Sequence, residues 1–333
     1  MLSSKIKTTF FLFCLLGFFF LSFSWAQEKL FKPFIESRPN GKVDWDNGYF
    51  YGVGQGSLKL NGNSQTQALK VAQAGALSSI LQVAAQIRVD DHRTLLDLEQ
   101  QKIIIRIQGL IEYEPFDQQT VKKGGDSFMQ VTYRAPLRGV KGLTRQLLTY
   151  FRESVTPLQE TPVSQSQAEA DASLPWLVLD ARGLTPDRSP QPALFPKIVT
   201  EEGETVSDLN TVDDRALMEQ GMMHYVVSNK KPEEISLNRP GHLLAVFKKF
   251  IGLATAWAQA QNLPQKRGRY IVRNVQQTQG RGRTTLVISA ADAKALKSES
   301  ETQQALQKCR VIVVVSSSVG GTEGFLPEWL AQR

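Results

Sequence analysis

Histidine and cysteine are scarce in this chain. Its 333 residues include three His (His92, His224, His242) and two Cys (Cys14, Cys309). That leaves little material for a His/Cys metal site and argues against a fold stapled by disulfides. Neither Gly-x-Ser-x-Gly nor His-Glu-x-x-His occurs, so the nucleophile elbow of an α/β-hydrolase and the zinc helix of a metalloprotease are both missing. No Asn-x-Ser/Thr acceptor is present either, which favours a bacterial envelope over a glycosylating secretory route. What the chain does have is an ordinary globular balance, 41% apolar and 21% charged, with a net charge of +7. This composition excludes wholesale disorder, collagen and a multi-span membrane protein.

Residues 1–26 read as a secretory signal peptide. Lys5 and Lys7 supply the positive start, residues 10–23 are apolar apart from Ser22, and Ser24-Trp25-Ala26 is a small-x-small cleavage site before Gln27. The apolar core is shorter than the roughly 20 residues of a comfortable membrane span. Phe11-Leu12-Phe13 is too bulky for a lipobox, so no lipid anchor is expected at Cys14. The expected address is the periplasm, with cleavage between Ala26 and Gln27. Any membrane association would then not use a transmembrane helix of the mature chain. Losing Lys5 and Lys7 lowers the net charge from +7 to +5, and Cys309, next to the apolar run 311–315, reads as a small buried hydrophobe.

After an N-terminal extension at 27–48, residues 49–153 read as one α+β domain. A glycine-punctuated strand at 49–56 precedes a capped turn and a helix over 65–87, with Leu69, Ala72, Ala76, Ile80, Val83 and Ile87 on one stripe. Residues 88–95 read as extended. Alternation of Ile103, Ile105, Ile107, Gly109, Ile111 and Tyr113, and again of residues 129–137, predicts two antiparallel strands joined across 122–126. Leu143, Leu147, Leu148 and Phe151 predict a closing helix. A Pro/Ser/Gln-rich linker follows at 154–174. Residues 175–333 read as a second α+β domain with strands at 176–180, 197–200, 225–228, 270–278 and 284–289, a helix opened by Ser289, and a buried central strand at 311–316. A broad apolar face also predicts a helix over 242–261. The expected fold is thus two α+β modules, each a mostly antiparallel sheet with helices on one face.

Several groups were weighed for chemistry. Gly52-Val-Gly-Gln-Gly56 lacks the dinucleotide spacing and reads as a strand that a helix approaches closely. Asp90-Asp91-His92 reads as a solvated turn, since neighbours on an extended chain point apart. Glu201, Glu202, Glu204 and Asp208 lack the alternation of a calcium loop. No catalytic residues, metal ligands or cofactor are assigned, and the chain is not expected to be an enzyme. The most basic stretch holds Lys266, Arg267, Arg269, Arg273, Arg281 and Arg283, with no acid between Gln265 and Ala291. These six residues form a candidate anion-binding set, with solvated loops and edge protection as the plainer reading. Nucleic acid is not an expected partner.

The stretch 52–139 resembles the LPP-twenty lipoprotein family and its relatives, the flagellar assembly proteins FlgP and FlgT. The resemblance rests on the Gly-x-Gly strand, the Ala68/Ala72/Ala76 helix, residues 81–89, Ile107-Gln-Gly109 and residues 131–139. It implies an envelope protein that assembles or scaffolds, with envelope or flagellar-base proteins as partners and no catalytic residues to carry over. The stretch 176–316 resembles exported bacterial proteins of unassigned function. The expectation is therefore a non-enzymatic, exported envelope protein acting by protein–protein contact. The competing expectations are a binder of anions or envelope polymer through the basic set and, less favoured, an unrecognised hydrolase.

Overall fold

The computed structural model describes residues 31–152, 173–228 and 270–316. The expected signal peptide with Ala26 and Gln27, residues 154–172 of the expected linker, the helix expected at 242–261, and the tail from 317 lie outside the described residues. Those described form six α-helices and three sheets, an α+β fold.

β1 (Phe31–Pro33) leaves the N-terminal half to join another sheet. The half itself is built on an antiparallel sheet of β2 (Ile35–Arg38), β3 (Gly41–Asp44), β4 (Tyr49–Ser57), β5 (Glu114–Lys123) and β6 (Asp126–Pro136). Their spatial order is β2-β3-β4-β6-β5. α1 (Gln65–Ala85), capped by Ser64, lies across β4 and β6. Its buried stripe holds Ala72, Ala76, Ile80 and Val83 as the spacing predicts, but starts at Ala68, with the expected Leu69 only half-buried. The fit is backbone to backbone. A methyl group at Gly52, Gly54 or Gly56 would stand 2.3 Å from Ile80 N, 2.1 Å from Ala72 O and 2.0 Å from Ala68 O. Ser79 Oγ adds a hydrogen bond to Val53 O at 2.8 Å. α2 (Leu95–Gln100), capped by a Thr94/Asp97 box, and α3 (Leu143–Phe151) complete this half.

The hairpin expected across 122–126 is present, with Gly124 and Gly125 both at positive φ (59° and 81°), as a two-residue primed turn requires. Its first strand is not where alternation placed it. Residues 103–113 hold no strand; they run through a short 3₁₀ turn (Ile107–Leu110), and the strand is β5, at 114–123. The isoleucines alternate because the loop dips into the core: Ile104, Ile107 and Ile111 are buried while Ile105 is 88% exposed. β5 is an exposed edge and so carries no apolar pattern to read.

The C-terminal half holds β7 (Trp176–Asp180), β8 (Lys197–Thr200), β9 (Thr205–Ser207), α4 (Asp214–Gln220), β10 (His224–Ser228), β11 (Tyr270–Asn274), β12 (Gln277–Gln279), β13 (Thr285–Ile288), α5 (Ala290–Ser298), α6 (Ser300–Gln307) and β14 (Val311–Ser316). One sheet runs β1-β10-β14-β7-β11, the other β12-β13-β8-β9. The strand expected over 270–278 is two strands: Val275 N bonds Asp180 O in the first sheet and Gln276 N bonds Val287 O in the second. The first sheet also departs from the antiparallel expectation, since β10/β14, β14/β7 and β7/β11 are all parallel. The cause is burial on both faces: residues 177–179 and 311–315 are apolar and buried without alternation, the pattern of covered parallel strands.

The halves touch along a seam. Leu194 N and Phe195 N donate to Arg88 O (3.0 Å) and Val89 O (2.8 Å). Phe151 meets Phe195 edge-on at 5.5 Å. Arg88 bonds Glu36 Oε1 at 2.6 Å and Pro192 O at 3.0 Å.

Candidate functional site

The longer of the two edge strands of the N-terminal sheet is β5, ten residues against four in β2. It pairs with β6 on one side from Glu114 to Lys123, and among the described residues no strand lies on its other side. A register shift between Pro115 and Asp117 bulges Phe116 onto the sheet face away from α1, where its ring packs edge-on against Tyr51 at 5.2 Å. Arg134 lies over the rings of Tyr49 (4.9 Å) and Phe116 (5.1 Å) and pairs with Glu114 at 2.6 Å. Proline, bulge and aromatic lock all fall at the N-terminal end of β5. From Asp117 onward the edge is regular and carries none of these. Phe116, 45% exposed, and Tyr113, 43% exposed, flank it. Such an edge can accept an added strand through main-chain hydrogen bonds.

The six basic residues do not all fall within view. Lys266, Arg267 and Arg269 lie outside the described residues. Arg273, on β11, holds Asp292 at 3.0 Å. Arg283 donates to Pro186 O (3.1 Å) and Asp187 O (2.6 Å). Arg281 is exposed. The Arg281-Gly282-Arg283 turn docks on the Asp90-Asp91-His92 loop: Gly282 N bonds Asp91 O at 2.9 Å, and Thr285 Oγ1 bonds Asp91 Oδ2 at 3.2 Å. Asp90 shapes that loop by accepting from His92 N, Arg93 N and the Arg93 guanidinium. Burial pulls its carboxyl upward, but those hydrogen bonds win and hold it below the usual carboxylate range. The Arg281–Arg283 turn and the Asp90–His92 loop thus brace each other. Among the described residues no three His, Cys, Asp or Glu side chains converge on one point.

A second charged group sits inside the seam and carried no sequence signal, because Arg138 reads as one more residue of a strand end. Its guanidinium donates to Trp45 O and to Asp46 O (3.2 Å), and lies 3.4 Å from His224 Nδ1. Gly48 and Gly221, both at positive φ, press against it from either half. Burial lowers Arg138 to about 10 despite Asp46 and Asp44. Burial, then the cations Arg138 and Arg310, push His224 down to about 3. Burial, then Asp44, raise Asp46 to about 6 against the pull of Arg138. His224 is therefore neutral, edge-on to Trp176 at 5.6 Å, with Arg310 over the same indole at 4.4 Å. This cluster fastens the β3–β4 turn to the first residue of β10.

No curated protein matches the chain. The resemblance of 52–139 to LPP-twenty and the flagellar proteins is not supported: the matching family is a different one and its match lies in the other half. Among the residues behind that resemblance, Gly52, Gly54 and Gly56 against Ala68, Ala72 and Ala76 are those any strand needs when a helix rests on its backbone. They mark a packing arrangement, and the flagellar assignment falls with them. The family that does match is the second domain of Treponema pallidum Tp0624, over residues 176–249 and 250–317, a region that takes in β7 through β14 and makes the C-terminal half similar to that domain.

Proposed function

We propose that this chain is an exported cell-envelope protein that acts without catalysis, as a scaffold or assembly factor, by protein–protein contact along β5. The observation that carries the reading is the regular edge from Asp117 to Lys123, which no strand among the described residues pairs on its outer side. Its test uses proline. Gln119 and Thr120 are neighbours, so their N–H groups point to opposite sides of the strand, one toward β6 and one outward. Proline at the inward position breaks the sheet; proline at the outward position removes an edge donor and spares it. The two are told apart by thermal unfolding. The variant that keeps wild-type stability is expected to lose stoichiometric, salt-insensitive partners captured from envelope extract by the full chain. Capture unchanged in that variant, or no stoichiometric partner at all, overturns the reading.

A further inference from the structure

We infer that the occupant of the β5 edge is a second copy of this chain, added antiparallel so that two five-stranded sheets become one. The inference rests on reading β5 as the contact edge and names its partner.

Charge pattern carries it. Asp117 lies at one end of the regular stretch and Lys123 at the other, and both project from the sheet face away from α1, as do Gln119 and Val121. Within the chain neither has an ion-pair partner among the described residues, and neither does Lys122, whereas Glu114 pairs with Arg134 and Glu112 with Lys141 at 3.1 Å. An antiparallel pair of identical strands is related by a two-fold axis perpendicular to the sheet. Each residue then faces a residue of its own parity in the other copy. With the axis at Thr120, Asp117 faces Lys123 of the second copy and Lys123 faces its Asp117. Gln118 faces Lys122, Gln119 faces Val121, and Thr120 faces Thr120. Moving the axis to Gln119 puts Asp117 opposite Val121; moving it to Val121 puts Lys123 opposite Gln119. Both shifts leave the charges unmatched. The Thr120 register alone joins opposite charges twice, and cross-strand pairs of this kind set register. The bulge at Pro115/Asp117 ends the pairing on one side and the Gly124-Gly125 turn ends it on the other.

The test is a cysteine at the axis. Directly opposed residues of an antiparallel pair have Cα atoms about 4.5–5.5 Å apart, within disulfide reach. In the full chain carrying Cys14→Ser, with Cys309 left in its buried place, Thr120→Cys is expected to oxidise to a covalent dimer. Gln118→Cys, which faces Lys122, is expected not to. Light scattering should show the unmodified chain as a dimer. Asp117→Lys should weaken dimerisation about tenfold, since two attractions become two repulsions. Asp117→Lys with Lys123→Asp should restore it. A chain that stays monomeric at 100 μM, or a dimer that Thr120→Cys does not trap and the double exchange does not rescue, overturns the inference. A monomer that still loses its envelope partners in the outward proline variant would leave the scaffold reading standing and remove only this one.

Discussion

At the residue scale, small side chains and buried charges decide most. The glycines of β4 are required by contact, so Gly54→Ala should cost at least about 1–3 kcal/mol, because the new methyl meets helix backbone that cannot swing aside. Gly109→Ala, with nothing within 4 Å of the added carbon, should stay within about 0.5 kcal/mol; chemical denaturation of both variants checks the contrast. The seam cluster predicts a pH effect whose sign can be worked out. Asp46 is raised to about 6 from 3.8, so its contribution to stability falls as pH rises from about 4 to 6. His224 is lowered to about 3 from 6.5, so its contribution falls as pH drops from 6.5 toward 3. Between pH 4 and 6 the two oppose each other, and wild-type stability should change little there on their account. Asp46→Asn removes one of them, and its unfolding free energy should then decline with acidification by up to about 1.4 kcal/mol per pH unit below 6.5. A flat pH profile for that variant would refute the assignment. Cys309, pushed up to about 12 by burial and the nearby Asp213, should resist alkylation in the folded chain.

At the scale of elements, burial decided what the sequence could reveal. α1 was legible because a stripe of Ala and Ile every three or four residues has one cheap explanation. β14 was legible because an unbroken run of Val and Ile from 311 to 315 fits a buried strand. β5 was illegible for the opposite reason: Gln118, Thr120 and Lys122 face water on one side of this edge strand, and Asp117, Gln119 and Val121 are only half-buried on the other, so it needs no apolar alternation, whereas the neighbouring loop has one. The strand that forms the candidate edge was therefore misplaced by about ten residues, at 103–113 instead of 114–123. The break between β11 and β12 was equally silent, because Val275, buried as the chain changes sheets, looks like any strand residue. The seam cluster left no trace at all, since Arg138 and His224 are 86 residues apart and neither sits in a local frame.

At the scale of the whole molecule, the sheet of the C-terminal half has β14 at its centre, between β10 and β7. Val313 is fully buried there, and Val313→Asp would place an unpaired carboxylate among apolar strands at a cost above about 3 kcal/mol. Hydrogen exchange should then show lost protection in β7, β10 and also β1, which hangs on the far side of β10. That position of β14 has a consequence in time. The strand on which its neighbours depend is the last described one to leave the ribosome, and one end of the same sheet, β1, is among the first. The sheet therefore cannot close until residue 316 has been made. Its contacts join residues 31–33 to residues as late as 316, which slows folding and keeps the nascent polypeptide open until that strand has been made.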